Sequence, residues 1–144
     1  MRGGRRNSLR RFIFVIASLL IGFSSAAGQD GDAGKVVYDK WCVECHGPDG
    51  LGDGSAATAM LPRPRDFSQA RYQIRTTGSG QLPTDNDLRL VIQEGLSGTT
   101  MPGWPNLSNS ETEDVIAYIK GFSRFFGQGD PPQPLTFGSD PGGG

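Results

Sequence analysis

The sequence predicts an all-α domain with about three main helices, joined by long loops wrapped around a bound group. Apolar residues recur at spacings of three and four in three stretches, 33–46, 84–95 and 108–122. Two of these stretches open on an N-cap pattern, and no run of Val, Ile or Phe elsewhere supplies strands. The connections between them are long and rich in Gly and Pro, and in a compact domain such loops usually carry function or enclose something.

The elements follow in order. Residues 1–28 read as a secretory signal. Arg2, Arg5, Arg6, Arg10 and Arg11 precede the apolar run Phe12–Phe23, which gives way to Ser24, Ser25, Ala26, Ala27 and Gly28. The run has 12 residues, where a bilayer-spanning helix needs about 20, so cleavage is expected rather than anchoring. No cysteine follows it to take a lipid. The paired arginines are read as a basic leader.

Ala33–His46 is expected as one helix, with Val37, Tyr38, Trp41, Cys42 and Cys45 on a shared face. Gly47–Pro64 has no period and reads as a loop, and Asp66–Leu82 reads as turns with at most a short helix or strand. The second helix has Thr84 and Asp87 at its start, Leu88, Val91 and Ile92 on its apolar face, and Gly95 as its stop. The third opens on the capping box Ser108/Glu111 and carries Val115, Tyr118, Ile119 and Phe122. The expected domain limits are 29–126, with 127–144 a flexible Pro/Gly-rich tail.

Charge narrows the function. The whole chain carries 14 basic and 15 acidic residues, and loss of 1–28 leaves 9 basic residues against the same 15 acids. A balance near −6 argues against nucleic acid and for soluble partners with basic docking faces. So small and glycine-rich a chain buries a modest core, which a bound cofactor would supplement.

The chemistry is concentrated in Trp41–Gly54, "WCVECHGPDGLGDG", which holds both cysteines and the one histidine. A thioredoxin-type dithiol needs a buried strand before the cysteines, and the residues upstream have a helical period. Structural zinc needs four ligands, and only three of the usual kind are present. A calcium loop starting at Asp49 places Leu51 at a ligand position and Met60 where the bidentate Glu belongs. The glycines follow a helix rather than a strand, so they form no phosphate cradle. A disulfide between Cys42 and Cys45 would close a tiny loop and leave His46 unexplained.

C-x-x-C-H is the attachment pattern of haem c. On one helical turn Cys42 and Cys45 can bond the two vinyl groups as thioethers, with His46 aimed at the iron from the same side. Outside the leader two methionines can supply a sixth ligand, Met60 and Met101. Met101 is favoured, because Gly98 and Pro102 let an irregular loop hold its thioether over a haem face. A metal-bound histidine generally donates its other ring N–H to an acceptor, and "LPRPRDF" offers the turn of Pro62 or Pro64, with Pro62 preferred. Arg63, Arg65, Arg75, Tyr72 and Trp104 are candidates for the haem propionates.

With these residues in view, the chain resembles class I c-type cytochromes, in particular bacterial single-haem modules similar to the cytochrome subunits of haem–copper oxidases. The likeness runs from about Gly34 to Phe125 through "GKVVYDKWCVECHGPDGLGDG", "LPRPRDF", "GQLPTDNDLRLVIQEGLSGTTMPGW" and "LSNSETEDVIAYIKGF". It implies a cytochrome c-like all-α fold around one covalent haem with an exposed edge. It also implies Cys42 and Cys45 as attachment points, His46 and Met101 as axial ligands, and a crossing of first and last helices at Gly34, Tyr38 and Tyr118. The chain departs from the minimal pattern in its long 66–84 segment and its tail.

The expected function is therefore that of an exported, periplasmic monohaem electron carrier, without catalytic residues, that exchanges electrons with redox proteins. A haem c subunit of a membrane-associated oxidoreductase is the alternative, or an open-site haem enzyme or sensor if Met101 does not ligate. Membrane association would then come through an uncleaved N-terminus or a respiratory complex.

Overall fold

A computed structural model of the protein describes residues 31–136. The expected signal at 1–28 lies outside the described residues, as does the end of the tail. Among the described residues there are four α-helices, α1 (Gly31–Trp41), α2 (Val43–His46), α3 (Asp85–Glu94) and α4 (Asn109–Gly121). Single 3₁₀ turns stand at Ala57–Ala59 and Phe67–Gln69, and there is no strand among the described residues. No helix among them is long and apolar enough to cross a membrane.

The two best-marked helices begin where their capping residues stand. At α3 the Thr84 hydroxyl accepts from the Asp87 amide at 3.1 Å, and the Asp87 carboxylate accepts from the Thr84 amide at 2.8 Å. At α4 the Ser108 hydroxyl accepts from the Glu111 amide at 3.2 Å, and the Glu111 carboxylate accepts from the Ser108 amide at 2.9 Å. Each box satisfies amides that the first turn leaves unpaired.

The core sits where α1 crosses α4. Val37 and Tyr38 of α1 meet Val115, Ile116 and Ile119 of α4, with Leu88 and Ile92 of α3 and Phe67 of the long loop closing the cluster. Tyr38 packs its ring against Tyr118 and Phe122, each at 5.2 Å between centroids. The close approach depends on Gly34, where a Cβ would lie 2.1 Å from the Asp114 carbonyl oxygen and 2.8 Å from the Tyr118 Cβ. The crossing implied by the family resemblance is therefore a backbone contact that only glycine permits.

Two features differ from the sequence expectation. The single helix expected over Ala33–His46 is interrupted after Trp41, with Cys42 at φ −119°, ψ −31°, so the cysteines and histidine occupy a separate short turn. The described part of the tail is also tied back, since the Leu135 amide donates to the Thr76 carbonyl at 2.9 Å.

Candidate cofactor site

The site is built on α2. Its backbone bonds run from Cys45 and His46 to the Cys42 carbonyl, at 3.1 and 2.9 Å, which places the three side chains on one turn. The glycine loop behind it serves the carbonyls that the helix end leaves open. Gly52 donates to the His46 carbonyl at 2.9 Å, Gly54 to Cys45 at 3.2 Å and Ala56 to Glu44 at 2.9 Å. "DGLGDG" is thus the turn that folds the chain back onto the motif.

Cys42 and Cys45 are both free and half-buried. Burial, and then the neighbouring Cys45, pushes the Cys42 thiol up to about 11, and burial followed by Glu44 raises Cys45. A working dithiol needs the opposite, a thiol pKa lowered towards neutrality. The pair is therefore poorly suited to disulfide exchange.

His46 is buried, 8% exposed, and its ring stacks on Phe67 at 4.4 Å with 16° between planes. Burial lowers its pKa, the hydrogen bond to Arg65 acts the other way, and the Arg65 charge lowers it further. Nδ1 lies 3.1 Å from the Arg65 carbonyl. A carbonyl only accepts, so Nδ1 carries the proton and Nε2 keeps a free lone pair. Here the structure corrects the sequence reading: the acceptor belongs to Arg65, and Pro62 is exposed beyond a cis Leu61–Pro62 bond. Pro64 is not the acceptor either.

Met101 stands on a loop pinned to the end of α3. Leu96 donates to the Met101 carbonyl at 3.2 Å, the Met101 amide to the Thr99 hydroxyl at 3.2 Å, and the Trp104 amide to Ile92 at 2.9 Å. Trp104 rests against Trp41, with centroids 4.8 Å apart, and Trp41 immediately precedes Cys42. The loop is thereby drawn towards the cysteine turn, with the Met101 side chain half-buried. Met60, after the first 3₁₀ turn, is half-buried as well.

Tyr72 provides a further test of whether a prosthetic group fits. Its hydroxyl is buried and has no hydrogen-bond partner. Such a group is costly to leave unmade. Burial pushes its pKa up to about 12, against the nearby Arg65 charge, and the Arg65 guanidinium lies 5.9 Å from the ring centre. Arg65 also donates to the Arg71 carbonyl, and Arg75 donates to the carbonyls of Tyr72 and Gly78, so both arginines are held in this loop. An unpaired donor with the Arg65 guanidinium over its ring, and Arg75 bonded to its backbone, matches a carboxylate-bearing ligand. Together with the two thiols and the free His46 Nε2, these residues fit a haem. Arg63 is exposed.

Sequence reasoning missed Phe67 as the ring under His46 and Phe126 as the edge against Tyr72, at 5.9 Å. Their aromatic character was the available signal, but nothing periodic placed them.

A family model described as cytochrome c matches residues 31–123. Among solved structures the chain is similar to one in the "reducing HAO-like protein complex Kustc0457/Kustc0458" of Kuenenia stuttgartiensis. The two are 40% identical with a TM-score of 0.70, over 73% of this chain and 48% of that one. This chain therefore spans about half the length of that relative. No curated protein matches it.

Proposed function

The chain belongs to the cytochrome c family, and from that premise we propose that it is an exported monohaem carrier of single electrons, its iron held between His46 and Met101. The family binds haem covalently, and Cys42 and Cys45 have the spacing to hold one haem c. When bound, that group supplies a one-electron ferrous/ferric couple.

The protein's residues do the rest. Cys42 and Cys45 anchor the group, His46 presents Nε2 from a ring fixed by Arg65 and Phe67, and the pinned loop offers the Met101 thioether. Tyr72, Arg65 and Arg75 would hold a haem carboxylate and neutralise its charge. The observation that carries the reading is the His46 Nδ1–Arg65 carbonyl bond, which fixes the tautomer that a metal ligand needs. Export to the periplasm rests on the basic, apolar and small-residue layout of 1–28. Redox proteins are the donor and acceptor, and brief docking of modest area suits the acidic balance.

Haem staining that survives denaturation tests the thioethers. The oxidised iron–thioether absorption band, lost in Met101→Ala, tests the distal ligand. Rapid stoichiometric binding of carbon monoxide by the reduced wild-type protein would instead mark an open site.

The likeness to a longer chain of a redox complex supports a second reading, a haem c module within a larger oxidoreductase. Retention in a membrane or complex fraction through a salt wash favours it over the free carrier.

A further inference from the structure

The family match ends at residue 123, yet the chain beyond it returns to the site. After α4 a turn closed by the Phe126 amide on the Ser123 carbonyl, at 3.3 Å, sets the Phe126 ring edge-on against Tyr72 at 5.9 Å. The Lys120 ammonium sits 5.8 Å from the centre of the same ring. Further on, the Leu135 amide donates to the Thr76 carbonyl at 2.9 Å, although Leu135 itself is 56% exposed. Its contribution is thus the backbone bond more than buried area.

Thr76 is held from both sides. Its carbonyl takes the Leu135 proton, and its amide donates to the buried Asp87 carboxylate at 3.0 Å. Arg75 makes the intervening loop one unit, reaching back to the Tyr72 carbonyl and forward to that of Gly78, at 3.2 Å for the latter. A shift at Thr76 is therefore transmitted to Tyr72, whose buried hydroxyl lacks a partner.

We infer that Phe126 and Leu135 are positioning residues for the redox centre: they hold the 72–78 loop where Tyr72 offers its hydroxyl to a haem carboxylate, and so raise the reduction potential. The inference rests on the proposed placement of that carboxylate beside Tyr72. The direction follows from charge: a donor bond offsets the carboxylate's negative charge, and its loss favours the more positive, oxidised centre.

The test uses the full haem-loaded chain. Leu135→Pro removes one N–H in an exposed segment that already contains Pro134, and Leu135→Ala keeps it. Leu135→Pro should lower the reduction potential and speed exchange of the Thr76 amide about fivefold, the loss of roughly one hydrogen bond. Helix content should be unchanged, and Leu135→Ala should keep the wild-type potential. Tyr72→Phe should also lower the potential, and Leu135→Pro should add nothing in that background. If Tyr72→Phe lowers the potential while Leu135→Pro does not, or if the two shifts add, the positioning role is overturned and the carboxylate placement stands. If Tyr72→Phe leaves the potential unchanged, the placement fails and the inference with it.

Discussion

The His46 Nδ1 proton is donated to the carbonyl of Arg65 across 3.1 Å, which joins the cysteine turn to a loop 19 residues away. That carbonyl is held in place by close backbone packing. A Cβ at Gly52, whose φ is +75°, would lie 2.3 Å from the Pro64 carbonyl oxygen and 3.1 Å from the Arg65 carbonyl carbon. Gly52→Ala should therefore push this strand of loop away from the imidazole. The cost combines left-handed backbone strain with the clash and is about 2 kcal/mol. With His46 as the proposed iron ligand, a weaker Nδ1 bond would make the imidazole a poorer donor to ferric iron, so the reduction potential should rise. Thermal melting and redox titration of the same sample check both effects, and an unchanged potential despite a lowered melting temperature would count against the coupling.

The Gly34 contact gives a paired prediction. Gly34→Ala forces a methyl against the Asp114 carbonyl and must separate α1 from α4, at about 3 kcal/mol. At Gly121, in the last turn of α4, an added Cβ would meet nothing within 4 Å. Gly121→Ala should stabilise by about 0.5–1 kcal/mol through helix propensity alone. Denaturant midpoints at unchanged slope distinguish the two.

What the sequence makes legible depends on whether side-chain identity is what the structure uses. Thr84, Asp87, Ser108 and Glu111 announce helix starts because a cap needs particular side chains at fixed offsets. Cys42, Cys45 and His46 announce the site because thioether and metal bonds need particular atoms. The acceptor for His46 is Arg65 rather than the expected Pro62, and every residue carries a carbonyl, so side-chain identity does not encode which one the fold delivers. The break at Cys42 has no Gly or Pro to mark it. The return of the tail through the Leu135 amide is hidden for the same reason, since a backbone donor leaves no trace in a Pro/Gly-rich composition.

Asp87 carries a pH dependence. Burial pushes its carboxyl pKa up, but hydrogen bonds from Thr84 and Thr76 outweigh this and hold it below the usual carboxylate range. A folded-state pKa below the unfolded value, near 3.9, contributes stability that is fully present above that value. It is lost as pH falls through the folded pKa. Asp87→Asn should cost about 1–2 kcal/mol at neutral pH, because its amide cannot accept both bonds. The gap between the two proteins should narrow as pH drops from about 5 towards 2. Unfolding free energies across that range test the claim, and a constant gap would contradict it.

Trp104 supplies the last prediction, which concerns the proposed distal ligand. Its ring against Trp41 joins the Met101 loop to the end of α1, while its amide bond to Ile92 belongs to the backbone and survives substitution. Trp104→Ala should leave the loop attached to α3 but free to lift from α1. An aromatic pair contributes about 0.5–1.5 kcal/mol beyond its buried area, so the methionine-released state should become about tenfold more populated. Carbon monoxide, which reaches reduced iron only when the sixth position opens, should then bind about tenfold faster, while Trp104→Phe stays near wild type. Met101→Ala sets the upper limit of that rate. If Met101→Ala binds carbon monoxide readily and Trp104→Ala binds no faster than wild type, the Trp41–Trp104 contact does not hold the ligand in place.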